Sequence, residues 1–285
     1  MSTPTATRPT RSGTPSPKVL LSEAIQTKSE NLPNRYVMHA VEGFGKTTLA
    51  AMMPKPIFLM SKGETGLLTL MGSGLLPDTP HFEETQSWSV FIEQLKALRD
   101  QEHSYKTLVL DALNGFERLN HEHVCNVEYG GNWGETGFTS YMRGYEVSLA
   151  PWREMLNLLD EIRTQKKMII FALCHTKVKP FKNPEGADYD RYTIDMHEKT
   201  WGITHKWADA VLFGNFETVV RDENAKKSKA SMAAQARILY TERRAAWDAK
   251  NRNGLPPEIE LGNTPETAFQ AFKAAIAAKR TEVTQ

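Results

Sequence analysis

The stretch Arg35-Tyr36-Val37-Met38-His39-Ala40-Val41-Glu42-Gly43-Phe44-Gly45-Lys46-Thr47-Thr48 decides how the rest of the chain is read. An apolar run with strand character leads into a turn carrying two glycines, and Thr47 to Met53 continues as a short helix that ends before Pro54. A loop that wraps a polyphosphate must turn successive backbone N–H groups inward, which calls for glycine, and the helix that follows adds its positive N-terminal end. The segment Val41-Glu42-Gly43-Phe44-Gly45-Lys46-Thr47-Thr48 meets that requirement. Lys46 is placed to reach the β- and γ-phosphates as a point charge, and the Thr47 hydroxyl to hold a magnesium ion. The expected ligand is therefore ATP with Mg2+. One position departs from the usual pattern, because Ala40 stands where the first glycine is expected. Alanine is tolerated there if the backbone has a negative φ.

Outward from this loop, apolar spacing divides the chain into alternating strands and helices, the signature of a mostly parallel α/β sheet flanked by helices. Strands are expected at Pro56–Ser61, Tyr105–Asp111 and Met168–His175. Trp88, Phe91, Ile92, Leu95 and Leu98 fall on one helical face, as do Trp152, Met155, Leu156, Leu159 and Ile162. Ala210–Phe213 with Thr218–Val220, and then Ala236–Tyr240, add C-terminal strands. Thr264 caps a last helix with Pro265 at its first position. The expected organisation is a tail over residues 1–18, an ATP-binding domain over 19–262, and a helix with its own tail over 263–285. The first 18 residues are rich in Ser, Thr and Pro and carry three basic and no acidic residues. They read as disordered.

Composition narrows the class. A net charge of +1 and a hydrophobic fraction of 40% over 285 residues describe a globular protein with a real core, and exclude a polybasic nucleic-acid binder. Two cysteines, Cys125 and Cys174, are too few for a disulfide scaffold and suit a cytoplasmic setting. No run approaches the roughly 20 apolar residues of a membrane span.

The remaining site residues follow from the fold. Asp111 ends a strand where an acid is needed for the second magnesium contact. His175 ends the next strand at the same sheet edge, where it either senses a γ-phosphate or bonds a backbone carbonyl. Glu64, in the turn after the second strand, is the first candidate for orienting an attacking water, and Glu42 is the second. His121, His123 and Cys125 look like metal ligands, but His123 points away from the face the other two share. Residues 175–193 read as a long polar loop in which Lys177, Lys179, Lys182 and Arg191 alternate with Phe181, Tyr189 and Tyr192. Such a mixture serves backbone phosphates and unstacked bases of single-stranded DNA. The stretch from Tyr129 to Tyr145, with Trp133, Phe138, Tyr141 and Arg143, is a second candidate for that role. Residues 221–252 hold nine basic against four acidic residues, and Lys226–Lys229 reads as a mobile hairpin.

With the phosphate loop, Asp111, His175 and the segment Trp247-Asp248-Ala249-Lys250-Asn251-Arg252-Asn253-Gly254-Leu255-Pro256 in view, residues 35–262 resemble a family of phage-encoded AAA-type ATP-binding proteins with a RecA-like core. That family includes single-strand annealing ATPases of phage recombination. The resemblance implies a RecA-like P-loop NTPase that binds single-stranded DNA and promotes annealing or strand exchange. It also implies a homo-oligomer, a ring or a filament, that works with a single-strand DNA-binding protein. It gives Lys46 and Thr47 the phosphate and magnesium roles, Asp111 the second magnesium role and His175 the sensor position. It makes Lys250 or Arg252 the candidate that completes a neighbouring subunit's site in trans. Lys62 stands where RecA-like members carry an acid, so hydrolysis either is slow or relies on Glu64. The alternative is a nucleotide-gated binding module, a loader or regulator of a replication protein, with little turnover. A small-molecule kinase is disfavoured because no lid motif or substrate-binding arginine cluster is evident.

Overall fold

Among the described residues nine strands form one sheet whose central strands are continuous apolar runs, as burial on both faces requires. The computed structural model describes residues 31–217 and 236–282. The tail over 1–18, Thr218–Val220 and the Lys226–Lys229 segment therefore lie outside the described residues. The strands are β1 (Arg35–Ala40), β2 (Pro56–Met60), β3 (Thr107–Asp111), β4 (Ile169–Phe181), β5 (Tyr189–Ile194), β6 (Ala210–Phe216), β7 (Arg237–Tyr240), β8 (Lys250–Asn251) and β9 (Glu258–Leu261). The helices are α1 (Lys46–Ala51), α2 (Gly66–Gly72), α3 (Trp88–Asp100), α4 (Leu113–Tyr129), α5 (Arg143–Val147), α6 (Leu149–Gln165), α7 (Glu198–Trp207) and α8 (Pro265–Glu282).

The main path runs β2-β3-β4-β1-β6-β7-β9, with β5 beside β4 and β8 beside β6. From β2 to β6 every pairing is parallel. The additions β7, β8 and β9 are antiparallel. Parallel neighbours place the ends of β1 and β3 at one edge, on either side of β4 near His175, a residue in the middle of that strand rather than at its end, with Ala40 in register with His175. Ligands of open α/β sheets bind at this edge.

Alternation along β1 assigns its side chains to two cores. Val37 joins the layer under α3, α4 and α6, with Trp88, Phe91, Phe116 and Trp152. Tyr36, Met38 and Ala40 join the layer under α1, with Leu49, Phe171 and Phe272. The helix α8, set apart in the sequence reading as a terminal segment, packs on β9 and α1. Its Thr264 hydroxyl accepts from the Thr267 N–H at 3.2 Å, the expected cap. The Phe272 ring is fully buried and meets Tyr36 edge-on at 5.5 Å and Phe171 at 6.1 Å.

The long polar loop expected over 175–193 is instead a β-hairpin. β4 continues past His175 to Phe181 and pairs antiparallel with β5, setting Val178 opposite Tyr192, Lys179 opposite Arg191 and Phe181 opposite Tyr189. Charge and proline made the segment look irregular. Tyr189, Tyr192, Thr193 and Ile194 in β5 are strand formers, and Pro180, which lacks an N–H, is tolerated because the hairpin is an edge. At the tip, Asn183 Oδ1 accepts from the Glu185 N–H at 3.1 Å. Among the described residues no helix is long and apolar enough to cross a membrane.

If α8 belongs to the core, Phe272→Ala costs about 3–5 kcal/mol of unfolding free energy, measured by urea denaturation. A loss under about 1 kcal/mol would mean that the helix is peripheral.

Candidate functional site

The loop after β1 is built by two glycines and held by its neighbours. Gly43 and Gly45 adopt φ values of +72° and +94°, in the left-handed region that costs other residues strain. Ala40 is the last residue of β1 and is absent from the positive-φ positions, so alanine satisfies the place of the first glycine. The Val41 N–H donates to Gly214 O of β6 at 3.2 Å. Gly214 is itself required there, because a Cβ would sit 2.5 Å from the Phe44 ring and 2.8 Å from the Ala40 Cβ. Phe44 is thereby buried and anchors the loop from below, while Glu42 is exposed.

No side chain caps α1 and no acid lies in its first turn, which leaves its N-terminal amides to an anion. Lys46 Nζ donates to Ala40 O at 3.2 Å, and burial lowers its pKa against the raising influence of Asp111 and Glu64. Thr47 Oγ1 donates to Asp111 Oδ2 at 3.0 Å. Asp111 is 5% exposed. Burial first, then the charge of Glu64, pushes its carboxyl up to about 6, against the lowering effect of Thr47, His175 and Lys46. A hydroxyl and a carboxylate facing one another offer the hard oxygen donors that suit Mg2+.

Glu64 and His175 form the other half of the site. Nε2 of His175 donates to Glu64 Oε1 at 2.9 Å. That bond is the main cause of the raised His175 pKa and of the lowered Glu64 pKa. Lys62 is exposed, whereas Glu64 is half-buried, so Glu64 is the acid of this turn that faces the strand ends. The structure thus gathers Lys46, Thr47, Glu64, Asp111 and His175 at one edge.

Lys250 and Arg252 lie elsewhere. Lys250 Nζ donates to the carbonyls of His205, Lys206 and Ala208, at 2.5, 3.3 and 2.6 Å, closing the C-terminal end of α7. Arg252 Nη1 donates to Lys206 O at 3.3 Å, and its side chain is exposed. Of the hairpin cations, Lys177 is paired with Asp195 at 2.5 Å. Arg191 is buried and reaches Trp247 O at 3.2 Å. Lys179 and Lys182 are exposed.

Sequence reasoning missed four contributors. Asn114 Oδ1, at the start of α4, accepts from the His175 N–H at 3.3 Å and fixes the backbone of β4 at that residue. Arg237 Nη1 donates to Phe44 O at 3.2 Å and Nη2 to Gly262 O, so β7 clasps the phosphate loop. Neither carried a motif. His39 was read as an ordinary strand residue, yet it is completely buried beside the loop, and burial pushes its imidazole down to about 4. In the neutral ring Nε2 donates to Asp248 O at 3.1 Å, so Nδ1 accepts from Thr176 Oγ1 at 3.0 Å.

The fourth is Glu117 of α4, whose carboxylate accepts the His197 N–H with both oxygens, at 3.1 and 3.0 Å. Burial pushes its carboxyl up to about 7, although the Thr200 and His197 hydrogen bonds oppose the rise. The folded chain therefore holds this proton more tightly than the unfolded chain does. The resulting stabilisation is complete below the ordinary glutamate value and is lost as pH rises through about 7. Glu117→Gln should therefore gain on the parent by on the order of 2–3 kcal/mol between pH 4.5 and pH 8, read from urea unfolding at each pH. A pH-independent difference would remove Glu117 as the titrating group.

Over residues 32–253 the sequence matches the family model described as AAA domain. No curated protein matches it. Among solved structures, the chain is similar to the RadB recombinase, with a TM-score of 0.43 and 11% identity over 81% of this chain and 89% of that one. It is also similar to the flagellar accessory protein FlaH from Methanocaldococcus jannaschii, with a TM-score of 0.42 and 9% identity over 81% and 86%. These likenesses are too distant to carry function. The family match and the loop geometry agree: the chain belongs to the AAA-domain family and carries a nucleotide-binding P-loop on a mostly parallel α/β sheet.

Proposed function

We propose that the protein is a Mg2+-dependent ATPase that binds single-stranded DNA and promotes annealing or strand exchange in recombination or repair, acting as a homo-oligomer. The observation that carries this reading is the unbroken course of β4. One strand holds His175 against Glu64 at the nucleotide edge and, four residues on, the exposed Lys179, and it leads directly into the exposed Lys182 of a projecting hairpin. A change at the γ-phosphate position is thereby linked to a basic surface through a stiff element rather than a loop.

In this mechanism the amides of Gly43 to Thr48 and the Lys46 ammonium bind the phosphates. Thr47 and Asp111 would hold the ion, which would supply charge screening and polarisation of the γ-phosphoryl group. Glu64 orients water, and His175 holds Glu64 in place and donates towards the phosphate when that bond opens. Of the two late cations, Arg252 is the candidate for the trans contact, since Lys250 is committed to three carbonyls. A single-strand DNA-binding protein is the partner that delivers the strand.

A second reading has one observation in its favour. The His175–Glu64 bond engages the carboxylate that would orient water, and Lys62 supplies no substitute. A nucleotide-gated binding module, loading or regulating a replication protein with little turnover, fits that arrangement.

Phosphate release with and without single-stranded DNA separates the two. The ATPase reading expects DNA to raise turnover about tenfold or more, and expects Lys179→Ala with Lys182→Ala to abolish the stimulation and flatten the salt dependence of DNA binding. ATP binding with no turnover in either condition would select the module. Lys46→Ala should lower ATP affinity by roughly a hundredfold, a loss of about 3 kcal/mol, without lowering the melting temperature. Unchanged affinity would take Lys46 out of the site.

A further inference from the structure

Beside the hairpin lies a cavity of about 300 Å3 on the sheet face opposite α1, lined by Phe181, Trp201, Met196, Arg191 and Asp248 among others. Arg191 is unusual among the cations of the chain. It is 9% exposed, its guanidinium lies 5.5 Å from the Phe181 ring centre, and Nη2 is 3.6 Å from Asp248. Its Nε is fully covered and has no hydrogen-bond partner. A buried donor left unpaired is costly, so one beside a cavity of ligand size points to a ligand that accepts from it. Glu198 and Asp248 add acceptors at the same cavity, and Lys179 stands at its rim without a carboxylate partner among the described residues.

A flat body, a mixed donor and acceptor edge and an adjoining anion describe a nucleotide base on its backbone. We infer that this cavity takes one unpaired base of a single DNA strand, set against Phe181 and Trp201, with Arg191 and the two carboxylates facing its hydrogen-bonding edge and Lys179 meeting the flanking phosphate. The inference rests on the single-stranded DNA reading above and sharpens it from a charged surface to a base-reading site.

The cavity is joined to the nucleotide edge by a chain of side-chain and main-chain contacts. Asp248 pairs with Arg191 through its carboxylate and accepts from His39 through its carbonyl, and His39 precedes Ala40 directly. Thr176, which donates to His39, follows His175 in β4. A base that engages Arg191 therefore acts on the residues that flank the phosphate loop.

The test compares an oligothymidylate with an equally long oligomer of abasic sites at one salt concentration, so that phosphate charge is constant. The wild-type protein should bind the base-bearing strand about tenfold more tightly, and Trp201→Leu should reduce that preference to about twofold or less, its folding checked by thermal melting. A strand carrying one fluorescent 2-aminopurine, added to the wild-type protein, should lose fluorescence on stacking. Equal binding of the two strands, a preference that survives in Trp201→Leu, or unquenched 2-aminopurine would overturn the base site while leaving DNA binding intact. Failure of both strands to bind would overturn the DNA reading itself.

Discussion

The hydrogen bond from Thr47 Oγ1 to Asp111 Oδ2 joins residues 64 apart in sequence and exists only because the sheet order brings the end of β3 to the mouth of the loop after β1. Each partner is poor alone. Thr47 belongs to a six-residue helix too short to hold itself, and Asp111 is a buried carboxylate whose charged form is disfavoured. Two cores fix both in place. Tyr36 and Met38 pin β1 from one face and Val37 from the other, while Leu108 and Leu110 set β3 on that second face with Val37. The chemistry of the edge is inherited from this apolar alternation.

Much of this was legible in the sequence because the signals are local. A loop needing left-handed backbone writes Gly43 and Gly45, and an amphipathic helix on a sheet writes Trp152, Met155, Leu159 and Ile162 at helical spacing. The edge residues Lys46, Thr47, Asp111, Glu64 and His175 are found together because each ends or follows an apolar strand or loop of recognisable kind. What escaped depends on tertiary placement. Arg237 is one of many basic residues until β7 sets it beside Phe44 O. Asn114 is a helix-start polar residue until α4 brings it to the His175 amide. The hairpin was hidden because its cations are partly neutralised by partners distant in sequence, Asp195 and Asp248, and a strand whose charges are paired elsewhere looks like a solvated loop.

The antiparallel additions give the phosphate loop a second set of supports. β7 and β9 extend the sheet beyond β6, and through Arg237 they connect Phe44 O with Gly262 O just before α8. The guanidinium is 2.8 Å from where a Gly45 Cβ would lie, so glycine there serves two ends at once, its own backbone conformation and the close passage of Arg237. The loop is thus gripped by Gly214 from one strand and Arg237 from the next.

His39 gives the chain a mechanical property. Its ring is sealed from solvent, with one nitrogen bonded to the hairpin strand and the other to the main chain at Asp248. Small displacements of either neighbour would leave a polar atom stranded in a dry interior, at a penalty that rises before any new partner is met. The sealed ring therefore ties the hairpin strand to the loop mouth, and displacing one without the other is disfavoured.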